Sequence, residues 1–169
     1  VEGHYIAPDD ALAGNGRNNA SFRPVSVSPS GSSYTLSPIG ATTQTLPAIH
    51  AWALHDVGVQ YTNFDISGDG TFIVAAHVTP IPGGGFAWEI AIQNLNSHLS
   101  GQSFSIEIPA GATVSNVGFH DIAHHSGDGV TLGTDYDGTD WTAVVSANDV
   151  TWSTDTFAVN PNANALRWG

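Results

Sequence analysis

Three segments of this chain alternate along their length with a period of two, and no other feature constrains its fold as strongly. Over residues 71–79, Phe72, Val74, Ala76 and Val78 share one side. Over residues 86–95, Phe86, Trp88, Ile90 and Ile92 face one way, and Ala87, Glu89, Ala91 and Gln93 the other. Residues 103–108 repeat the pattern with Phe104, Ile106 and Ile108. Successive side chains of a strand point to opposite faces, so the pattern predicts antiparallel strands with their more apolar side on a core. Ser67-Gly-Asp-Gly70 reads as a tight turn before the first segment, and Pro80-Ile-Pro-Gly-Gly-Gly85 as the break after it.

Further strands are expected near residues 4–7, 22–28, 33–38, 57–66, 114–122, 141–146, 150–153 and 157–159. Pro29-Ser-Gly-Ser32 is a plausible hairpin turn between two of them. Residues 47–56 are ambiguous: their apolar run fits a short helix or a buried strand. Nine or ten strands with turns every 8–12 residues read as an all-β antiparallel β-sandwich, immunoglobulin-like or jelly-roll. The 169 residues suit a single domain spanning 1–169, with no linker or repeat visible.

Composition narrows the function. The chain has no Cys, so disulfides and thiolate metal sites are excluded. It has no Met and no Lys, and its only cations besides histidine are Arg17, Arg23 and Arg167. The chain therefore reads as excised from a longer secreted precursor. A net charge of -12 argues against binding to nucleic acid or to anionic membrane surfaces. No apolar run approaches membrane-spanning length. A Thr-, Ser-, Asn- and Gly-rich acidic chain fits a secreted, extracellular or cell-surface location.

Several pieces resemble a group of uncharacterised secreted bacterial proteins. They are Val1-Glu-Gly-His-Tyr-Ile-Ala-Pro-Asp-Asp10, Asn94-Leu-Asn-Ser-His98, Pro109-Ala-Gly-Ala-Thr-Val-Ser-Asn-Val-Gly-Phe-His-Asp121, Val150-Thr-Trp-Ser-Thr154 and Asn160-Pro-Asn-Ala-Asn-Ala-Leu-Arg-Trp-Gly169. The group brings no assigned activity. The resemblance implies a longer precursor, and one more apolar strand beyond Gly169. A missing strand would leave a sheet edge open, and an open edge invites pairing with another chain.

Four groups of residues carry candidate chemistry. His120, Asp121, His124, His125 and Asp128 are imidazoles and carboxylates of the kind that bind Zn or Cu; the bland alternative is a polar surface loop. Asp135, Asp137 and Asp140 offer oxygens for Ca, or form a solvated acidic turn. Asp65-Ile-Ser-Gly-Asp-Gly70 matches half of a calcium loop, but Ala76 stands where the bidentate acid belongs, so the hairpin reading prevails. Glu89 and Glu107 would make a glycosidase pair if adjacent strands carry them on one non-core face. No nucleophile elbow and no phosphate loop is present.

The expectation is a non-catalytic structural or surface-assembly module that associates with itself or with other surface proteins through open sheet edges. A Zn, Cu or Ca module or metalloenzyme is one alternative. A carbohydrate-binding or carbohydrate-cleaving domain, with glycans as partners, is the other.

Overall fold

A computed structural model describes residues 1–5 and 7–168. The fold is all-β and its sheets are antiparallel. Two compact units emerge, Val1–Leu99 with Trp168, and Ser100–Arg167.

The first unit opens with β1 (Glu2–His4), α1 (Pro8–Leu12) and β2 (Ala20–Phe22), β1 and β2 being paired. The strand expected over 4–7 includes Ile6, which lies outside the described residues. α1 begins on a proline, whose missing N–H costs nothing in a first turn. The strand expected over 22–28 is interrupted at Arg23-Pro24 and restarts as β3 (Val25–Ser30), because proline offers no N–H to a ladder. β3 pairs with β4 (Ser33–Pro38) across Gly31, whose φ of +63° suits glycine. The register puts Val27 opposite Leu36 and Ser28 opposite Thr35, so one face of this hairpin is apolar and the other is serine and threonine.

The ambiguous segment is a 3₁₀ helix, Ala48–Leu54, entered from Pro47 in extended conformation. The Glu2 carboxylate accepts the Ala48 N–H at 2.5 Å, and the Gln93 side-chain oxygen accepts the Ile49 N–H at 3.2 Å. These bonds satisfy donors that a helix start leaves open.

β5 (Gln60–Asp65), β6 (Thr71–Pro80) and β7 (Phe86–Asn94) form a three-stranded meander with β6 at its centre. The first connection closes with Ile66 N–H donating to Gly70 O at 2.7 Å. A Cβ at Gly70 would stand 2.5 Å from the backbone of Asn96 and Ser97, so glycine is required by close approach. The second connection uses Gly83, Gly84 and Gly85, all at positive φ.

The alternation predicts these strands, but the core lies on the other face from the one expected. Ile73 and Ala75 are buried, and Ile73 packs in one cluster with Ala20 and Leu95, against which Ile49 and Tyr61 lie. Phe72, Val74 and Ala76 are only half-buried. β6 carries apolar residues on both faces, and on the buried one Ala75 stands opposite Ala91. Tyr61 stacks on His50 at 4.3 Å and accepts the Ala53 N–H at 3.2 Å.

The second unit is a sheet of β8 (Ser103–Glu107), β10 (Asp149–Ser153) and β9 (Thr142–Val145), in the order β8-β10-β9. Ser146 turns β9 into β10, its hydroxyl accepting the Asn148 and Asp149 N–H groups at 3.1 and 3.0 Å. Phe104, Ile106, Val150 and Trp152 share a face. Trp152 donates to Gly118 O at 3.0 Å.

Two expected strands do not form. Residues 114–122 are irregular because Val114 is out of phase with Val117 and Phe119, and Asn116 takes a left-handed φ of +55°. Residues 157–159 lie in a turn closed by Val159 and Asn160 N–H donating to Thr156 O at 3.0 and 2.9 Å. Among the described residues no helix is long and apolar enough to cross a membrane.

Candidate functional site

The second unit carries most of the candidate ligands, and its polar loop folds without strands. Residues 108–141 lack a ladder, so their backbone groups need other partners. The asparagine-rich segment at 160–164 supplies several. Asn162 accepts the Val130 N–H through its side chain at 2.8 Å, and its carbonyl accepts the Asp137 N–H at 2.7 Å. Asn164 is buried, and its amide donates to Asp121 Oδ2 at 2.5 Å and to Thr139 O at 3.0 Å. Its carbonyl accepts the Trp141 indole N–H. Asn160 donates to Asp137 Oδ2 at 3.3 Å. Arg167 lies 3.6 Å over the Tyr136 ring, a cation–π contact. Asn160, Asn162 and Asn164 thus act as a clasp over the loop.

A cleft of about 220 Å³ opens beside this clasp, lined by Asp121, His124, His125, Ser126, Asp135 and Tyr136 among others. The His124 ring stands 4.9 Å from that of Tyr136, tilted by 59°. Asp135 accepts the Gly127 N–H at 2.6 Å and the Ser126 hydroxyl at 2.9 Å, and these bonds hold its carboxyl below the ordinary value of 3.8. Asp137 accepts the Thr139 hydroxyl at 2.6 Å and the Thr139 N–H at 2.9 Å, with the same consequence. Hydrogen bonds to a charged carboxylate favour that form. His120, Asp128 and Asp140 are exposed.

The cleft therefore brings together Asp121, His124, His125 and Asp135, but not His120, Asp128, Asp137 or Asp140. Among the described residues, no three His, Asp or Glu side chains stand close enough to hold a metal ion. Asp121, Asp135 and Asp137 are each engaged by amide or hydroxyl donors, so their oxygens organise the loop.

The remaining candidates separate. Asp65 and Asp69 belong to the β5–β6 hairpin turn. Asp69 is held low chiefly by the Ser97 hydroxyl and then by the N–H groups of Leu99 and His98, so it anchors residues 97–99. Asp65 pairs with Arg17 and accepts the Thr71 hydroxyl at 2.8 Å. Glu89 and Glu107 are not on adjacent strands: β7 and β8 belong to different sheets, and Glu89 points to the Ile73 face, opposite His77. The glycosidase arrangement required neighbouring strands, and the long irregular stretch after residue 94 begins a new sheet instead.

One pair was missed from sequence. His77 Nδ1 lies 2.5 Å from Asp56 Oδ2, with both side chains about one-quarter exposed (23% and 26%). Only the alternation of β6, which puts His77 on the Ile73 face, hinted at it. The chain matches no known family model, no curated protein and no solved structure.

Proposed function

We propose that this chain is a non-catalytic structural module of an extracellular or cell-surface assembly, and that it associates with copies of itself through open sheet edges. The observation that carries the reading is β7. It is an outer strand of nine residues, it contains no proline, and Glu89 is its single charge. Edge strands of monomeric proteins are ordinarily guarded by lysine, proline or bulges. This chain has no lysine with which to guard one. The secreted location rests on composition and on the resemblance to secreted bacterial proteins. The sandwich layering expected of the sequence belongs to the same proposal: sheets that are open as single layers become covered when copies meet.

Sedimentation velocity over a range of chain concentrations tests the edge. The wild-type chain is expected to form species larger than a monomer, and Ala87→Lys, a charge at an exposed position of β7, is expected to reduce them. A monomer at every concentration overturns the reading, as does assembly indifferent to Ala87→Lys.

A further inference from the structure

The face of the β5–β6–β7 sheet opposite the core is mostly apolar, broken by Gln60, Thr62 and Asn94 and free of charge. The register aligns Phe64 with Phe72, Val74 with Ile92, and Val78 with Trp88. Phe64, Phe86 and Trp88 are 53%, 63% and 58% exposed, so large rings stand in water. The core side already buries Ile73 and Ala75. The central strand β6 carries apolar residues on both faces, as a strand of a layer covered on both sides does.

We propose that this second face is covered by the same face of a second copy, in a two-fold sheet-on-sheet dimer. The inference rests on the self-association reading above and names a different surface for it.

Charge selects the occupant. Among the described residues no ionisable side chain lies on this face. The nearest carboxylates, Asp65 and Glu89, are in register with Thr71 and His77 and so point to the other side. Two copies, each of net charge -12, repel one another least where they meet on surface free of carboxylates. A basic partner would find nothing here to pair with. Area sets the strength. The nine residues of β7 and the three-strand width give a face of about 30 Å by about 14 Å, about 400 Å² in plan. That is about half of the ~800 Å² each partner gives a standard interface, which makes the contact a small, concentration-dependent one. The apolar face of the β3–β4 hairpin has two strands of six residues and is too small to serve. Two such sheets packed about 10 Å apart are the two layers of a β-sandwich, here shared between copies. The contact is isologous and closes at two copies, whereas edge pairing propagates.

Because the chain has no cysteine, a single introduced one reports unambiguously. Val78→Cys lies on the proposed face, and Ala87→Cys lies on the β7 edge with its side chain towards the opposite face. Under mild oxidation, Val78→Cys is expected to give disulfide-linked dimers about tenfold faster than Ala87→Cys. Trp88→Asp, at an exposed position and with its far-ultraviolet circular dichroism spectrum checked against the wild type, is expected to weaken the dimer at least about tenfold in sedimentation velocity. Fast crosslinking at Ala87→Cys alone overturns the face and keeps the edge. Fast crosslinking at Val78→Cys, with slower crosslinking at Ala87→Cys that rises with chain concentration, keeps both surfaces, whereas none at Ala87→Cys at any concentration keeps the face and sinks the edge. Slow crosslinking at both positions in a monomeric chain overturns both.

Discussion

Between residues 71 and 94 the backbone is satisfied by the neighbouring strand; between residues 108 and 141 it is satisfied largely by turns and by side chains reaching in from elsewhere. In the first unit, the alternation of Ile73 and Ala75 with Phe72 and Val74 determines the strands, while Glu2, Gln93 and Tyr61 secure the 3₁₀ helix and other polar residues trim the turns. In the second, Asn162 and Asn164 replace ladder bonds with amide bonds to Val130 and Thr139. The difference teaches that regular structure is one of two ways to answer the same requirement for buried backbone groups. The first way depends on volume, the second on individual donors.

The sharpest way to break this comparison is to empty the first core. Ile73→Ala removes a side chain that is 3% exposed and is expected to cost about 3 kcal/mol, read from denaturant unfolding, with amide protection lost in β5–β7 but kept in β8–β10. Equal losses in both units would show that they unfold as one. Asn164→Ala is the counterpart in the second unit. It strands Asp121 and Thr139 O and is expected to cost about 2 kcal/mol, with protection lost at the neighbouring Ala163 and Ala165 while Ile73 and Ala75 keep theirs. A cost near zero would mean that water replaces the clasp.

The smallest effect is in acid. Burial lowers His50 below its ordinary 6.5, so folding favours the neutral ring, and the first unit begins to lose stability as pH falls below that value. Asp135 and Asp137 are lowered from 3.8, so the stability they contribute is complete above 3.8 and is lost only as pH falls further, through their folded values. Hydrogen exchange, normalised for the intrinsic rate at each pH, is expected to show the first unit loosening in milder acid than the acidic loop. Loosening of both in one pH window would remove the distinction.

How much was legible in the sequence follows the same divide. The strands of residues 71–94 were readable because alternation and glycine turns are local signals. Their buried side was not, since Phe72 and Ile73 are both apolar and only the arrival of Tyr61, Leu95 and Ile49 decides between them. The strand expected at 114–122 failed on a broken apolar period and on one left-handed residue, Asn116. The residues of the clasp stood out as a motif, but their task was hidden. The partners of Asn162 and Asn164 lie 23 to 43 residues away, beyond the reach of any local pattern. The Asp and His residues were noticed for charge, whereas several of the carboxylates serve as acceptors for nearby N–H and O–H groups.

The close approach at Gly70 bears on how this chain can drift. Gly68, in the same turn, has φ of +74° and nothing within 4 Å of the place a Cβ would occupy, so its requirement is conformational, and asparagine or aspartate can meet it. Gly70 faces the backbone of the next loop, and no side chain can substitute for an absent one. Two glycines two residues apart therefore evolve under different rules: one position can wander among small polar residues, while the other is a fixed point around which the sequence of residues 94–99 must vary.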